Sequence, residues 1–176
     1  MFVGDDSGKI EVYSNDNLGD MHTNLDTQKD SVINKIMKSA DNTKLYALTD
    51  SGIYAFDISN MPPGGGTIKT TNFFSFSDNL QSNDMEFTST SPGMLYVDHG
   101  LAIYGFVLND LTKKLWDTSS VILPNTMSPL TGSITSHILS ADGSTIYFGT
   151  SDSLVYSYKT ILSGVNSNSF YNIDSN

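Results

Sequence analysis

LYALTDSGIYAFDIS, residues 45–59, sets an apolar, aromatic-bearing run, a short Asp-Ser-Gly turn and a second alternating run side by side. Alternation on both sides of a turn describes two paired strands, each with one face toward a core. The same shape recurs in MFVGDDSGKIEVYS (1–14), LYVDHGLAIYGFVLN (95–109) and IYFGTSDSLVYSYKT (146–160). Phe2, Tyr46, Tyr96 and Tyr147 hold one place in the first run, at spacings of 44, 50 and 51 residues. Tyr13, Phe56, Phe106 and Tyr158 hold one place near the end of the second run, at spacings of 43, 50 and 52. Chance alternation keeps no such period, so the hairpin belongs to a repeated supersecondary unit.

Upstream of three of these hairpins lies another apolar run that ends in a polar turn. The segments are VINKIMKSADNTKLY (32–46), MEFTSTSPGMLY (85–96) and ITSHILSADGSTIY (134–147). Their turns, Asp41-Asn42-Thr43, Ser91-Pro92-Gly93 and Asp142-Gly143-Ser144, use residues that tolerate a tight reversal. A fourth strand follows each hairpin, most legible in TIKTTNFFSF (67–76) and LTKKLWDTSS (111–120). Four antiparallel strands, A to D, in a unit of this length predict an all-β, β-propeller-like fold. The expected organisation is a single domain with blades near 1–30, 31–80, 81–130 and 131–176. The first blade begins at strand B, so it is expected to lack its inner strand. SFYNI (169–173) could be strand D of blade 4 or that missing strand A. An open blade presents unpaired backbone groups, which recruit another chain.

SADGSTIYFGTSDSLVYSY (140–158) resembles blades of the WD40 and YVTN kind, and IYGFVLNDLTKKLWDTSS (103–120) is similar to the quinoprotein-like blade, in which a Trp closes strand D. The resemblance spans nearly the whole chain and implies a propeller with more blades than these four. Trp116-Asp117 falls in strand D, whereas WD40 blades place that pair at the end of strand C. The His-to-Asp network of such blades is not expected, because His22, His99 and His137 are the only histidines.

A formal charge of −10 repels phosphate backbones, and the lysines form no stripe, which argues against nucleic acid as a partner. A cation, a basic protein or further copies of the chain fit better. No apolar run approaches the roughly 20 residues of a membrane helix, so no membrane insertion is expected. The start of the chain carries neither a basic leader nor an apolar signal core. Cysteine is absent, which excludes disulfides and thiolate metal sites and suits either the cytoplasm or an extracellular assembly. No Asn-x-Ser/Thr triplet occurs.

Asp5, Asp6, Asp50, Asp98 and Asp152 all fall at connections between the two runs of a hairpin. A ring of such carboxylates could hold Ca²⁺, which takes about six to eight oxygens. The plainer reading is turn chemistry, the carboxylate bonding its own backbone, since no EF-hand spacing is present. His99 is expected to be a solvent-exposed turn residue that belongs to an interaction surface. His137 lines a channel or packs beneath it. Trp116 is expected to pack between blades, with a sugar-stacking platform as the alternative. Pro62-Pro63-Gly64-Gly65-Gly66 reads as a connector from strand C to strand D. No nucleophile elbow is present. The expectation is therefore a non-catalytic scaffold or interaction module, part of a larger, extracellular or filamentous assembly. The alternative is a propeller enzyme that binds a ligand or cation and acts on a small molecule or a carbohydrate.

Overall fold

The computed structural model describes residues 1–13, 21–61, 65–70, 72–78, 80–88, 93–108, 110–117, 130, 132–160 and 171–172. They fall into two compact units, Met1–Leu80 and Gln81–Asn176. The described residues are all strand, turn and connection, in four four-stranded sheets.

In the first unit, β1 (Phe2–Gly4), β2 (Lys9–Tyr13) and β3 (Met21–Asp26) form the first blade. β4 (Ile33–Lys38), β5 (Lys44–Thr49), β6 (Gly52–Asp57) and β8 (Asn72–Ser75) form the second. Alternation sets the faces: Phe2 lies opposite Val12, and Gly4 opposite Ile10, so these four share one face. Ile10, Val12 and Leu25 from that side join Leu45, Ala47, Tyr54 and Phe56 in one core.

The expected single strand over 67–76 is in fact two. β7 (Thr67–Lys69) leaves the second blade and pairs in parallel with β3, while only β8 pairs with β6. The reason is local. Gly65 (φ 92°) and Gly66 (φ 153°) admit a left-handed path, and the Gly66 carbonyl accepts the Asn24 N–H at 2.8 Å. Thr70 then donates its hydroxyl to Ala55 O at 2.7 Å and to Asn72 O at 3.1 Å, which punctuates the strand. Pro62, Pro63 and Gly64 lie outside the described residues. The first blade thus has a fourth strand on its outer edge, and β1, its inner strand, pairs only with β2 among the described strands.

In the second unit, β9 (Met85–Phe87), β10 (Met94–His99), β11 (Ala102–Val107) and β12 (Asp110–Asp117) form the third blade. β13 (Ile134–Leu139), β14 (Thr145–Thr150), β15 (Val155–Lys159) and β16 (Tyr171–Asn172) form the fourth. β16 pairs with β15, so Tyr171–Asn172, the described part of SFYNI, belong to strand D of blade 4 and not to strand A of blade 1. Tyr96 and Ile103 of the third blade pack with Ile134, Ile146, Phe148, Tyr156 and Tyr158 of the fourth. Each fully buried aromatic or aliphatic side chain of this kind contributes about 1.5–3 kcal/mol.

Consecutive blades within a unit are joined by the same backbone device. The N–H of the first residue of strand A reaches a carbonyl at the B-to-C connection of the preceding blade. Ile33 N donates to Asp5 O at 3.0 Å, and Ile134 N donates to Gly100 O at 2.9 Å. That bond fixes where each strand A lies on its neighbour, and therefore which side chains meet.

Candidate functional site

The carboxylates expected at the turns divide into two groups. Asp5 Oδ1 accepts the N–H groups of Ser7 and Lys9 at 2.9 Å and the Ser7 hydroxyl at 3.0 Å. Burial pushes its carboxyl up, but the bonds from Lys9 and Ser7 outweigh that and hold it below the ordinary value. Asp6 is exposed in the same turn. Asp50 Oδ1 accepts the Asn34 amide at 2.6 Å, and Asp152 accepts the Thr150 hydroxyl. The A-to-B turns repeat the pattern: Ser140 and Ser144 donate to Asp142 and hold it down at about 2. Among the described residues, no group of three or more His, Asp or Glu side chains is placed to hold a metal ion.

Asp98 and His99 depart from the turn reading. The reversal shrinks to Gly100-Leu101, with Gly100 at φ 60°, so both residues are the last of β10 and both are buried. Asp98 is 0% exposed, and its Oδ1 accepts the N–H groups of Asn83 at 2.5 Å and Asp84 at 2.9 Å. His99, expected on the surface, is 2% exposed, and its Nδ1 is 2.7 Å from Ser82 Oγ. The β10 strand is buried throughout because both its faces are covered, and that carries the two polar residues inside with it.

A second buried histidine faces Asp98 from the neighbouring blade, with no hydrogen bond between them. His137 on β13 is buried, with Nδ1 3.7 Å from Asp98 Oδ2, beyond hydrogen-bond reach. Asp98 Oδ2 and both His137 ring nitrogens lack hydrogen-bond partners. Asn83 Nδ2 donates to Ile134 O at 3.0 Å, and Glu86 accepts the Leu139 N–H at 2.7 Å. Three polar side chains of the third blade thus address strand A of the fourth. Ser82 beside His99 has the composition of a nucleophile and its base, but Ser82 is 0% exposed and no substrate carbonyl reaches it. Sequence reading missed Ser82, Asn83 and Glu86. The available signal was Val97 directly before Asp98, which extends the apolar run and shortens the turn.

The second feature is a face, not a cluster. Ile138 lies opposite Tyr147, Ser136 opposite Gly149, and Gly149 opposite Val155, so these residues share one side of blade 4. They line an open groove of about 270 Å³. At the repeat position of Val155 the other blades carry Ile10, Ile53 and Ile103, each 0% exposed, whereas Val155 is 43% exposed. Tyr46 and Tyr96 are 1% exposed, and Tyr147, their counterpart, is 37% exposed. Ile138 is 61% exposed. Trp116 lies on β12 with its backbone opposite Gly105, and its side chain, like that of His22, is outside the described residues.

With this geometry in hand, comparison with known proteins identifies the architecture. No protein-family model matches the chain, and no curated protein matches it. Among solved structures, the chain is similar to the C-terminal WD40 domain of Sif2, with a TM-score of 0.67 and 16% identity. The likeness covers 97% of this chain and 43% of that one, so the chain spans less than half the length of its structural neighbour. The fold is thus a set of WD40-like propeller blades.

Proposed function

We propose that the chain is a non-catalytic β-propeller scaffold that works through protein–protein contact. The observation that carries this reading is the fourth member of the repeat series: Ile10, Ile53 and Ile103 are 0% exposed and Val155 is 43% exposed, beside Tyr147 and Ile138. An apolar sheet face that is covered wherever else it occurs in the molecule is a contact surface. His99 and His137 are both buried, His99 against Ser82 of its own blade and His137 against Asp98 in the joint between two blades. The WD40-like architecture, a net charge of −10 and the apolar face together favour a protein partner, with further copies of the chain as the assembly version of the same reading.

Size measurement in extracts of the source cells tests it. The protein is expected to elute in a complex and to shift to the mass of a lone chain when Ile138→Lys places a charge on the face. Elution as a lone chain in both cases would remove the scaffold reading.

A further inference from the structure

The outer edge of blade 1 is closed by a strand that comes from the connection between β6 and β8 of blade 2, and the closure is slight. β7 pairs with β3 over three residues, Asn24 with Thr67, Leu25 with Ile68 and Asp26 with Lys69. The pairing is parallel, which is slightly weaker per residue than the antiparallel pairing of the blade's other strands. Of the three side chains on β7, only Ile68 is half-buried, against the core of the unit, while Thr67 and Lys69 are exposed.

Both ends of β7 are loosely tied to blade 1. At its entry, Gly65 at φ 92° supplies a backbone with freedom to turn away. At its exit, Gln28 Nε2 donates to Thr70 O at 3.4 Å, long for such a bond. Gln28 itself sits at φ 62°, a conformation uncommon for a residue other than glycine, and the Asp26 carboxylate holds it there by accepting its N–H at 2.7 Å. Thr70 is buried and donates its hydroxyl to Ala55 O at 2.7 Å, so the chain after β7 stays anchored in blade 2 whether or not β7 is seated. β7 can therefore leave β3 without unravelling the blade it comes from. On β3, Asn24 Oδ1 is buried without a hydrogen-bond partner, and Thr67 beside it supplies none.

Resting on the scaffold reading, we propose that β7 is a strap over a strand-docking edge, and that an extended segment of a partner protein replaces it on β3. In strand addition the main chain supplies affinity and alternate side chains supply specificity. The register of β7 defines the segment: an aliphatic residue beside Leu25, a basic residue after it beside Asp26, and a side-chain donor before it for Asn24 Oδ1. A basic residue also suits a chain of net charge −10. The strap keeps the edge from pairing indiscriminately, as an uncovered edge would.

Hydrogen exchange of the unaltered protein tests the strap, and a peptide tests the edge. The Asn24 N–H, which is bonded to Gly66 O, is expected to exchange at least tenfold faster than the amide of Ala47 in the middle of β5. Equal protection would make β7 a permanent strand and overturn the proposal. The probe for the edge is a labelled peptide Gly-Gly-Thr-Ile-Lys-Thr, the sequence of residues 65–70, followed by fluorescence anisotropy. It is expected to bind the Ile68→Asp protein, whose strap is released, at least tenfold more tightly than the unaltered protein. The same peptide with aspartate in place of its isoleucine is expected to bind neither. No binding to a folded Ile68→Asp protein, or equal binding to both proteins, overturns the docking edge. Dimers of the purified chain that Ile68→Asp abolishes would assign the edge to a second copy and overturn the partner segment. Each of these failures leaves the elution result for Ile138→Lys, and with it the scaffold reading, as it stands.

Discussion

The joint between blades 1 and 2 and the joint between blades 3 and 4 use one backbone bond and opposite side-chain chemistry. Ile33 N reaches Asp5 O and Ile134 N reaches Gly100 O at nearly equal distances, 3.0 and 2.9 Å. Beneath those bonds, the first joint closes Gly4 on Ile33, whereas the second sets Asp98 against His137. The backbone bond and the pleat therefore place the strand, and the side chains are free to fill the joint with hydrocarbon or with charge. The two fillings differ in how they fail. A dry joint fails by volume, and a polar joint fails by leaving donors unpaired.

Asp98→Ala should have the largest effect of any single change at either joint. It strips the acceptor from the part-buried N–H groups of Asn83 and Asp84, each of which costs about 1–3 kcal/mol when left without a partner. A loss of about 3 kcal/mol is expected, read as a lower midpoint in denaturant unfolding. If Asp98→Ala were harmless, the polar joint would not depend on its acceptor.

Gly4→Val comes next. Its Cβ would fall 2.6 Å from Ile33 Cγ2, an overpacking that costs about 1–3 kcal/mol. The double mutant Gly4→Val/Ile33→Ala should recover part of that loss, because the clash is removed together with its partner. Simple additivity of the two losses would show that Gly4 is required for its backbone and not for the room it leaves.

His137→Leu should cost less than about 1 kcal/mol, or stabilise, although the residue lies in the same joint as Asp98. Its imidazole nitrogens have no hydrogen-bond partner, so leucine gives up no bond and removes a buried polar ring. A loss as large as that of Asp98→Ala would mean that the two side chains act as an ion pair.

How much of this was legible in the sequence follows from what period and alternation can encode. The four hairpins, the A-to-B turns at 41–43 and 142–144 and strand D at 110–117 were legible, because each depends on neighbours along the chain, whereas Ser91 and Pro92 lie outside the described residues. The departure of β7 to blade 1 was not, since it depends on a hydrogen bond from Asn24, far away in sequence. For the site, Asp5 and Asp152 behave as turn aspartates, in keeping with their Ser and Gly neighbours. Asp98 and His99 look alike in the string VDHG, yet burial of the whole strand decides their role, and burial is set by packing between segments far apart in sequence. The exposed Val155 was invisible for the same reason. Sequence shows a conserved pattern of aliphatic residues within the chain, and only the structure shows which member is uncovered.

The smallest effect separates the turns from the joints. Asp142 is held at about 2, first by the Ser140 hydroxyl and then by the Ser144 N–H and hydroxyl, against an ordinary value of 3.8. A carboxylate depressed in the folded state adds stability that is complete above its unfolded value and is lost as pH falls through the folded one. The turn's share is therefore present above 3.8 and disappears as pH drops toward about 2. Asp41 and Asp57 are lowered in the same direction by Ser39 and Thr43 and by Ser59 respectively. Asp142→Ala should lower the melting temperature slightly near neutral pH and flatten its fall across this acid window. Asp5→Ala should flatten it less, because burial already opposes the lowering at Asp5. Equal flattening by both would mean that the two turns are electrostatically alike, and an unchanged acid slope in Asp142→Ala would assign the acid sensitivity to carboxylates outside the turns.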